Sequence, residues 1–186
     1  MLEFFPIPLN IGLISLAVLL ILLRRQGRSF SYRLRFSVFW VYLLAVVGVT
    51  LFPMPILNGT GVTLSWKTTA DILSRVNLVP FDYSQFKYLN PAYVFLREIV
   101  ANILLTLLFG FGINFVIRIR ARTILWLSLA VGLGIETAQL AMCLLLGSAY
   151  RGVDINDSLM NALGVLCGYG LFRIFSRLHK IPISFS

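Results

Sequence analysis

Three carboxylates and an arginine stand out in an otherwise apolar chain. Arg151, Asp154 and Asp157 lie close together in sequence, and Glu136 lies inside the preceding apolar block. A carboxylate held away from water can act as a general acid or base, several carboxylates together bind divalent cations, and an arginine beside them recognises phosphate or carboxylate. The spacing does not choose among acid–base chemistry, cation binding and recognition of a polar headgroup.

The acidic residues continue into a polar stripe at the start of the last apolar block. Asp154, Asp157, Asn161 and Gly164 follow one another at intervals of three, four and three residues, which predicts one face of a helix. Charged and amide side chains are costly in a membrane unless they face the protein interior or water. We therefore expect this stripe to face other polar residues.

Further polar residues interrupt the other apolar blocks. Glu98 and Asn102 are four residues apart and share a helix face, as do Glu136 and Gln139. We expect Asn102 and Asn161 to meet Gln139 and approach Glu136, with Arg97 and Arg151 as counter-charges. The predicted catalytic residues are Glu136, Arg151, Asp154 and Asp157, and the predicted ligand-binding residues are Asn77, Arg97, Asn102, Gln139 and Asn161.

The composition places these residues in a membrane protein. Of the 186 residues, 59% are hydrophobic and only 12% are charged, against about 25% charged in soluble domains. The apolar residues form blocks long enough to cross a bilayer. The predicted fold class is therefore all-α, a polytopic transmembrane helical bundle in one domain covering residues 1–186.

Five apolar blocks predict five spans. Their predicted limits are Phe4–Leu23, Phe36–Pro53, Leu96–Ile117, Thr123–Leu146 and Ser158–Phe175. A stretch from Ser65 to Val76 predicts a short helix that is too short to span, and we expect it to lie at the membrane interface with Trp66 among the headgroups. The cysteines Cys143 and Cys167 lie inside apolar blocks, which is typical of small core residues rather than of a disulfide or a metal site.

The distribution of basic residues predicts the orientation of the spans. Most of the 16 Lys and Arg residues fall in segments on one side of the bundle: Arg24, Arg25, Arg28, Arg33, Arg35, Arg118, Arg120, Arg122, Arg173, Arg177 and Lys180. The positive-inside rule then places the N-terminus outside and the C-terminus in the cytoplasm. The net charge of +9 is explained by these loops and does not indicate a nucleic-acid partner.

The order of the polar motifs resembles the VanZ-like family of small bacterial membrane proteins. The matching residues run from about 77 to 170, and their order and spacing match the family. They are Asn77 to Phe81, Asn102 with Leu104 to Gly110, Glu136 with Gln139, and Arg151, Asp154, Ile155, Asp157, Asn161 and Gly164. Thr106 to Leu108 stand where the family often has a proline, so a proline kink is not expected in the third span. The resemblance implies a multi-pass protein of the bacterial cytoplasmic membrane and a link to teicoplanin resistance.

Several functions agree with these residues. The site either binds an amphiphilic envelope ligand, a lipid-linked precursor or a lipidated glycopeptide antibiotic, or belongs to a membrane-embedded hydrolase or transferase that uses Glu136, Asp154 and Asp157, with or without a metal. We expect the ligand head at Arg151 and Asp154, its tail between spans three to five, and membrane lipids as partners. A transporter is disfavoured because the polar residues do not continue to the inner side. A purely structural network remains the alternative, and the residues identify no cofactor.

Overall fold

The computed structural model describes residues 6–52, 66–82 and 87–179. Most of this length is helical. The elements are α1 (Pro6–Arg25), α2 (Phe30–Leu51), α3 (Trp66–Ser74), β1 (Val76–Asn77), α4 (Pro91–Val94), a π-helical segment (Phe95–Val100), α5 (Ala101–Val116), α6 (Ala121–Leu146), β2 (Val153–Asp154) and α7 (Ile155–Leu178).

The five predicted spans are confirmed. Five helices are long and apolar enough to cross a membrane, with α4, the π-helical segment and α5 joined into the third. The second span begins six residues earlier than predicted, at Phe30, because Ser29 caps it by accepting a hydrogen bond from the Tyr32 N–H. The short helix predicted from Ser65 is observed as α3, and its place at the membrane interface stays a prediction.

The third span changes its helical geometry rather than kinking at a proline. Asn90 caps α4 and Pro91 occupies its first turn, and Phe95–Val100 then forms the π-helical segment. From Ala101 the α-helix runs through Thr106 without a break. The wider turn lies where Glu98 is located, and π-helical turns are frequent at functional sites.

Helix α7 is the centre of the bundle, and glycines set how closely its neighbours approach. A side chain at Gly164 or Gly168 would overlap backbone carbonyls of α5, and one at Gly132 on α6 would overlap the Ser158 carbonyl of α7. Small residues permit this contact between membrane helices. Helix α2 packs on α5 and α6, and α1 packs on α2.

The direction of the helices gives the bundle two chemically different ends. The first, here called the acidic end, carries Glu98, Glu136, Asp154 and Asp157. The opposite, basic end carries Arg24, Arg25, Arg28, Arg33, Arg35, Arg118, Arg120, Arg122, Arg173 and Arg177. Lys180 lies outside the described residues.

Candidate functional site

A backbone-to-carboxylate hydrogen bond connects α6 to the start of α7. The Asp154 N–H donates to a carboxylate oxygen of Glu136 at 3.0 Å, and both residues are buried. Glu136 lies almost three turns from the end of α6. A buried carboxylate needs such a donor, because an unsatisfied one is costly.

Asp154 is placed by a strand pair and a helix cap. The strand pair is parallel, with Asn77 opposite Asp154, and the Asn77 side-chain amide donates to an Asp154 carboxylate oxygen at 3.0 Å. The other oxygen accepts from the Asn156 N–H at 2.8 Å, which caps α7. The polar stripe of α7 therefore begins at Asp157: Asp154 precedes the helix instead of lying on its face.

A second amide–carboxylate bond joins α5 to α7. The Asn102 side chain donates to an Asp157 carboxylate oxygen at 2.8 Å and to the Glu98 backbone carbonyl at 2.9 Å. Below it, the Thr106 hydroxyl donates to the backbone carbonyl of Asn161 at 2.6 Å. The expected meeting of Asn102 and Asn161 with Gln139 is not observed, because Asn102 bonds Asp157 instead.

The four carboxylates of the acidic end lie close enough to repel one another. Asp157 interacts electrostatically with Glu136, Glu98 and Asp154, and with Arg97 in the opposite sense. Arg97 forms an ion pair with Glu98 at 3.4 Å, and its own side chain is 62% exposed. The result is a cluster of carboxyl groups inside the protein, with the exposed guanidinium of Arg97 beside it.

Asn161 is fully buried, and neither its amide nitrogen nor its amide oxygen has a hydrogen-bond partner among the described residues. It lies one turn below Asp157 on α7. Most buried polar groups in proteins are hydrogen-bonded, so an exception of this kind calls for an explanation. In the part of the chain that the structure describes, Asn161 therefore has an unused donor and an unused acceptor one turn beneath Asp157.

Arg151 and Gln139 contact the end of α2 instead of the carboxylates. The Arg151 guanidinium donates to the carbonyls of Phe52 at 2.7 Å and Val49 at 3.0 Å, and the Gln139 amide donates to the Thr50 carbonyl at 3.1 Å. These are carbonyls that the end of a helix leaves without intrahelical donors. Of the two predicted counter-charges, only Arg97 is paired with a carboxylate among the described residues.

Tyr150 supplies a further bond to the same helix end. Its hydroxyl donates to the Leu51 carbonyl at 3.2 Å. Burial raises the pKa of this hydroxyl, the nearby Cys143 raises it further and Arg151 lowers it. The hydroxyl therefore stays protonated and keeps its donor role at neutral pH.

Sequence reasoning did not identify Asn156, which is buried and holds the loop after β1. Its side-chain oxygen accepts from the Phe81 N–H, and its nitrogen donates to the Asp82 carbonyl at 3.3 Å. Phe81 has φ 62°, a left-handed conformation that is rare for aromatic residues. The sequence signal was its position in a short polar run, in which Asp154, Asn156, Asp157 and Ser158 are separated by one apolar residue only.

The arrangement suits hydrogen-bond recognition and proton transfer. Within the described ranges, no three Asp, Glu, His or Cys side chains are grouped closely enough to hold a metal ion. Glu136 and Asp157, by contrast, are two mutually repelling carboxylates, and such a pair can accept protons or donor groups from a ligand. The ligands that fit are therefore those with ammonium, hydroxyl or amide donors.

One comparison with known proteins identifies relatives. A family model described as VanZ/LLP1 matches residues 39–176. This range covers part of the second span, the whole of the third and fourth, all but the last two residues of the fifth, and every residue of the site. No curated protein and no solved structure matches the chain.

Proposed function

We propose, for a chain that belongs to the VanZ/LLP1 family, that the acidic end of the bundle binds an amphiphilic ligand of the cell envelope. The ligand is a lipid-linked precursor or a lipidated glycopeptide antibiotic, and binding changes the sensitivity of the cell to teicoplanin-type drugs. By its family match, the protein is a VanZ-like membrane protein.

The observation that carries the proposal is the apolar loop directly beside the carboxylates. Asn77 donates to Asp154, while the residues that follow it turn apolar side chains outward. Leu78 is 72% exposed, Val79 59% and Phe81 70%. A cluster of buried polar residues bordered by exposed apolar side chains matches a molecule that has a polar head and an apolar tail.

The charges of the site favour a ligand head that donates hydrogen bonds. Glu136 and Asp157 can accept from ammonium, hydroxyl or amide groups, and Asn161 can accept or donate once such a group reaches it. Arg97 is the cation that can contact an anionic part of the same head. A head with both donors and an anionic group therefore fits better than a simple anion.

Within the proposal, the loop side of the site offers the tail more room than the interface between α5 and α7. The α5–α7 interface is closed at Gly164 and Gly168, where even a methyl group would overlap the α5 backbone. The exposed side chains of Leu78, Val79 and Phe81 offer the alternative surface. Each methylene buried there contributes about 0.8 kcal/mol, so a short acyl segment suffices to hold the ligand.

The proposed orientation places the acidic end outside the cell. The basic end carries ten arginines within the described residues, and the positive-inside rule puts them in the cytoplasm. The outer leaflet is also where glycopeptide antibiotics and exported precursors are found. Tyr83 and Phe86, which the sequence places beside the site, lie outside the described residues.

Drug sensitivity with and without the protein tests the proposal. Cells that express the chain should differ more in sensitivity to teicoplanin, which carries an acyl chain, than to vancomycin, which carries none. Asp157→Asn should remove the difference, because the amide no longer attracts a donor group as a carboxylate does. The matched control is Asp71→Asn, which neutralises an exposed carboxylate on α3 and should leave the difference unchanged.

Two outcomes would contradict tail-dependent binding. One is an equal shift for both drugs, or a shift with neither. The other is loss of the effect in Asp71→Asn as well as in Asp157→Asn, which would mean that the effect follows the total negative charge of this side of the protein and not the site at Asp157.

A second candidate function is a hydrolase or transferase acting on a lipid. The observation that favours it is the buried Glu136, which accepts a backbone N–H while lying close enough to Asp157 for repulsion. Two such carboxylates can share acid and base roles. Lipid profiles of cells with and without the protein separate the two functions, since only an enzyme creates or removes a lipid species.

A further inference from the structure

A groove between α2 and α5 forms a second site, at the opposite end of the bundle from the carboxylates. It has a volume of about 420 Å³, within the range of about 300–1,000 Å³ typical of ligand sites. Val38, Phe39 and Tyr42 line it from α2, and Leu108, Gly112 and Phe115 line it from α5. It runs from the basic end towards the middle of the bundle.

Two tyrosine hydroxyls hold the walls of the groove at a fixed separation. Tyr42 donates to the Leu105 carbonyl, and Tyr32 donates to the Val116 carbonyl at 3.3 Å, so α2 and α5 are connected on both sides of the groove. Phe39 forms one wall against Phe109, with ring centroids 5.7 Å apart. These contacts join α2 to α5 at the two ends of the groove.

Gly112 gives the groove its depth. A Cβ at this position would lie 2.9 Å from a ring carbon of Phe39, closer than carbon atoms normally pack. The missing side chain lets the Phe39 ring lie against the α5 backbone and leaves the space beside it open. That space is lined by aliphatic and aromatic carbon, which suits a hydrocarbon chain.

Charge decides which lipid fits. Arg35 lines the groove at the basic end of the bundle and is exposed. Its Nε donates a hydrogen bond to the Ser31 carbonyl at 3.2 Å. This bond directs the guanidinium along α2. Basic residues between membrane helices commonly bind anionic headgroups. A lipid whose acyl chain lies along Phe39 thus brings its phosphate to Arg35.

We propose that the α2–α5 groove is a binding site for an anionic phospholipid, with the acyl chain in the open space beside the Phe39 ring and the headgroup at Arg35. This site is separate from the acidic end and does not depend on the function proposed there. Neutral and zwitterionic lipids fill the same groove less tightly, because they lack the net charge that Arg35 selects.

Native mass spectrometry of the purified full chain tests the selectivity. Titration with phosphatidylglycerol and phosphatidylcholine should give about fivefold tighter binding of phosphatidylglycerol. Both lipids carry a phosphate, but the ammonium group of phosphatidylcholine opposes the positive charge of Arg35. Arg35→Gln should bring the two lipids to nearly equal affinity. The matched control is Arg25→Gln, which removes a charge at the same end, from α1 outside the groove, and should keep the preference.

A second pair of variants tests the groove itself. Val38→Trp places a large side chain in the groove and should weaken binding of both lipids, whereas Val41→Trp changes an exposed residue of the same helix that does not line the groove. Equal affinity of the two lipids for the unmodified chain would overturn the proposal. So would equal losses in Arg25→Gln and Arg35→Gln, unchanged binding in Val38→Trp, or tighter binding of a prenyl phosphate than of phosphatidylglycerol.

Discussion

The backbone N–H of Asp154 donates to the carboxylate of Glu136 at 3.0 Å, which fixes the start of α7 against the interior of α6. The same Asp154 accepts from Asn77 through its side chain. One residue thus connects the loop after α3, the fourth span and the fifth span. The acidic end depends on this junction.

Replacing Glu136 should separate its structural role from its functional one. In Glu136→Gln the amide oxygen still accepts from the Asp154 N–H, so thermal unfolding in detergent should change little. In Glu136→Leu that buried N–H loses its acceptor, at a cost of about 1–3 kcal/mol. Both variants should abolish the teicoplanin effect, and a fully active Glu136→Gln would mean that the charge has no functional role.

A double-mutant cycle should reveal coupling between Asn102 and Asp157. The bond between them is 2.8 Å long and partly buried, and contacting residues typically couple by about 0.5–3 kcal/mol. The single variants Asn102→Ala and Asp157→Ala and their combination are compared by unfolding in detergent. The exposed pair Asp71 and Arg75 is the control and should couple by at most about 0.5 kcal/mol. Equal coupling in both pairs would contradict a structural role for the Asn102 bond.

Two glycines of α7 should respond in opposite ways to the same substitution. Gly168→Ala places a methyl group on the Leu107 carbonyl of α5, and we expect about 1–3 kcal/mol of destabilisation from overpacking. In Gly170→Ala the added methyl group lies in open space. The free energy of unfolding should stay the same or rise by at most about 1 kcal/mol, because alanine favours the helix. Similar unfolding temperatures for the two variants would show that the helices are less closely packed at Leu107.

Cysteine labelling should establish which end faces outward. Tyr88→Cys introduces a thiol at a residue that is 87% exposed, and Arg120→Cys introduces one at the basic end. A membrane-impermeant maleimide should label the first in intact cells and the second only after permeabilisation. The unmodified chain, whose Cys143 and Cys167 lie within spans, is the control. The reverse pattern would place the carboxylates in the cytoplasm and contradict the outward-facing site.

The sequence by itself determined the membrane fold and the end at which the carboxylates meet. Apolar blocks of about twenty residues cross a bilayer as helices, because a helix satisfies the hydrogen bonds of its own backbone N–H and C=O groups. Consecutive spans run in opposite directions, so the end of α6 and the start of α7 lie on the same side. Glu136, Asp154 and Asp157 therefore had to lie near one another. Their apolar surroundings also made them stand out as candidates.

Only the tertiary structure decided which partner each polar side chain has. Arg151 has the length to reach a carboxylate, but the carbonyls of Val49 and Phe52 lie beside it, because α2 happens to end next to the loop before β2. Gln139 bonds the Thr50 carbonyl for the same reason. Asp154 leaves the helical stripe because the parallel pairing with Asn77 holds its backbone extended. These contacts join residues about 80 to 100 positions apart, and no local periodicity encodes them, since they depend on how whole helices pack.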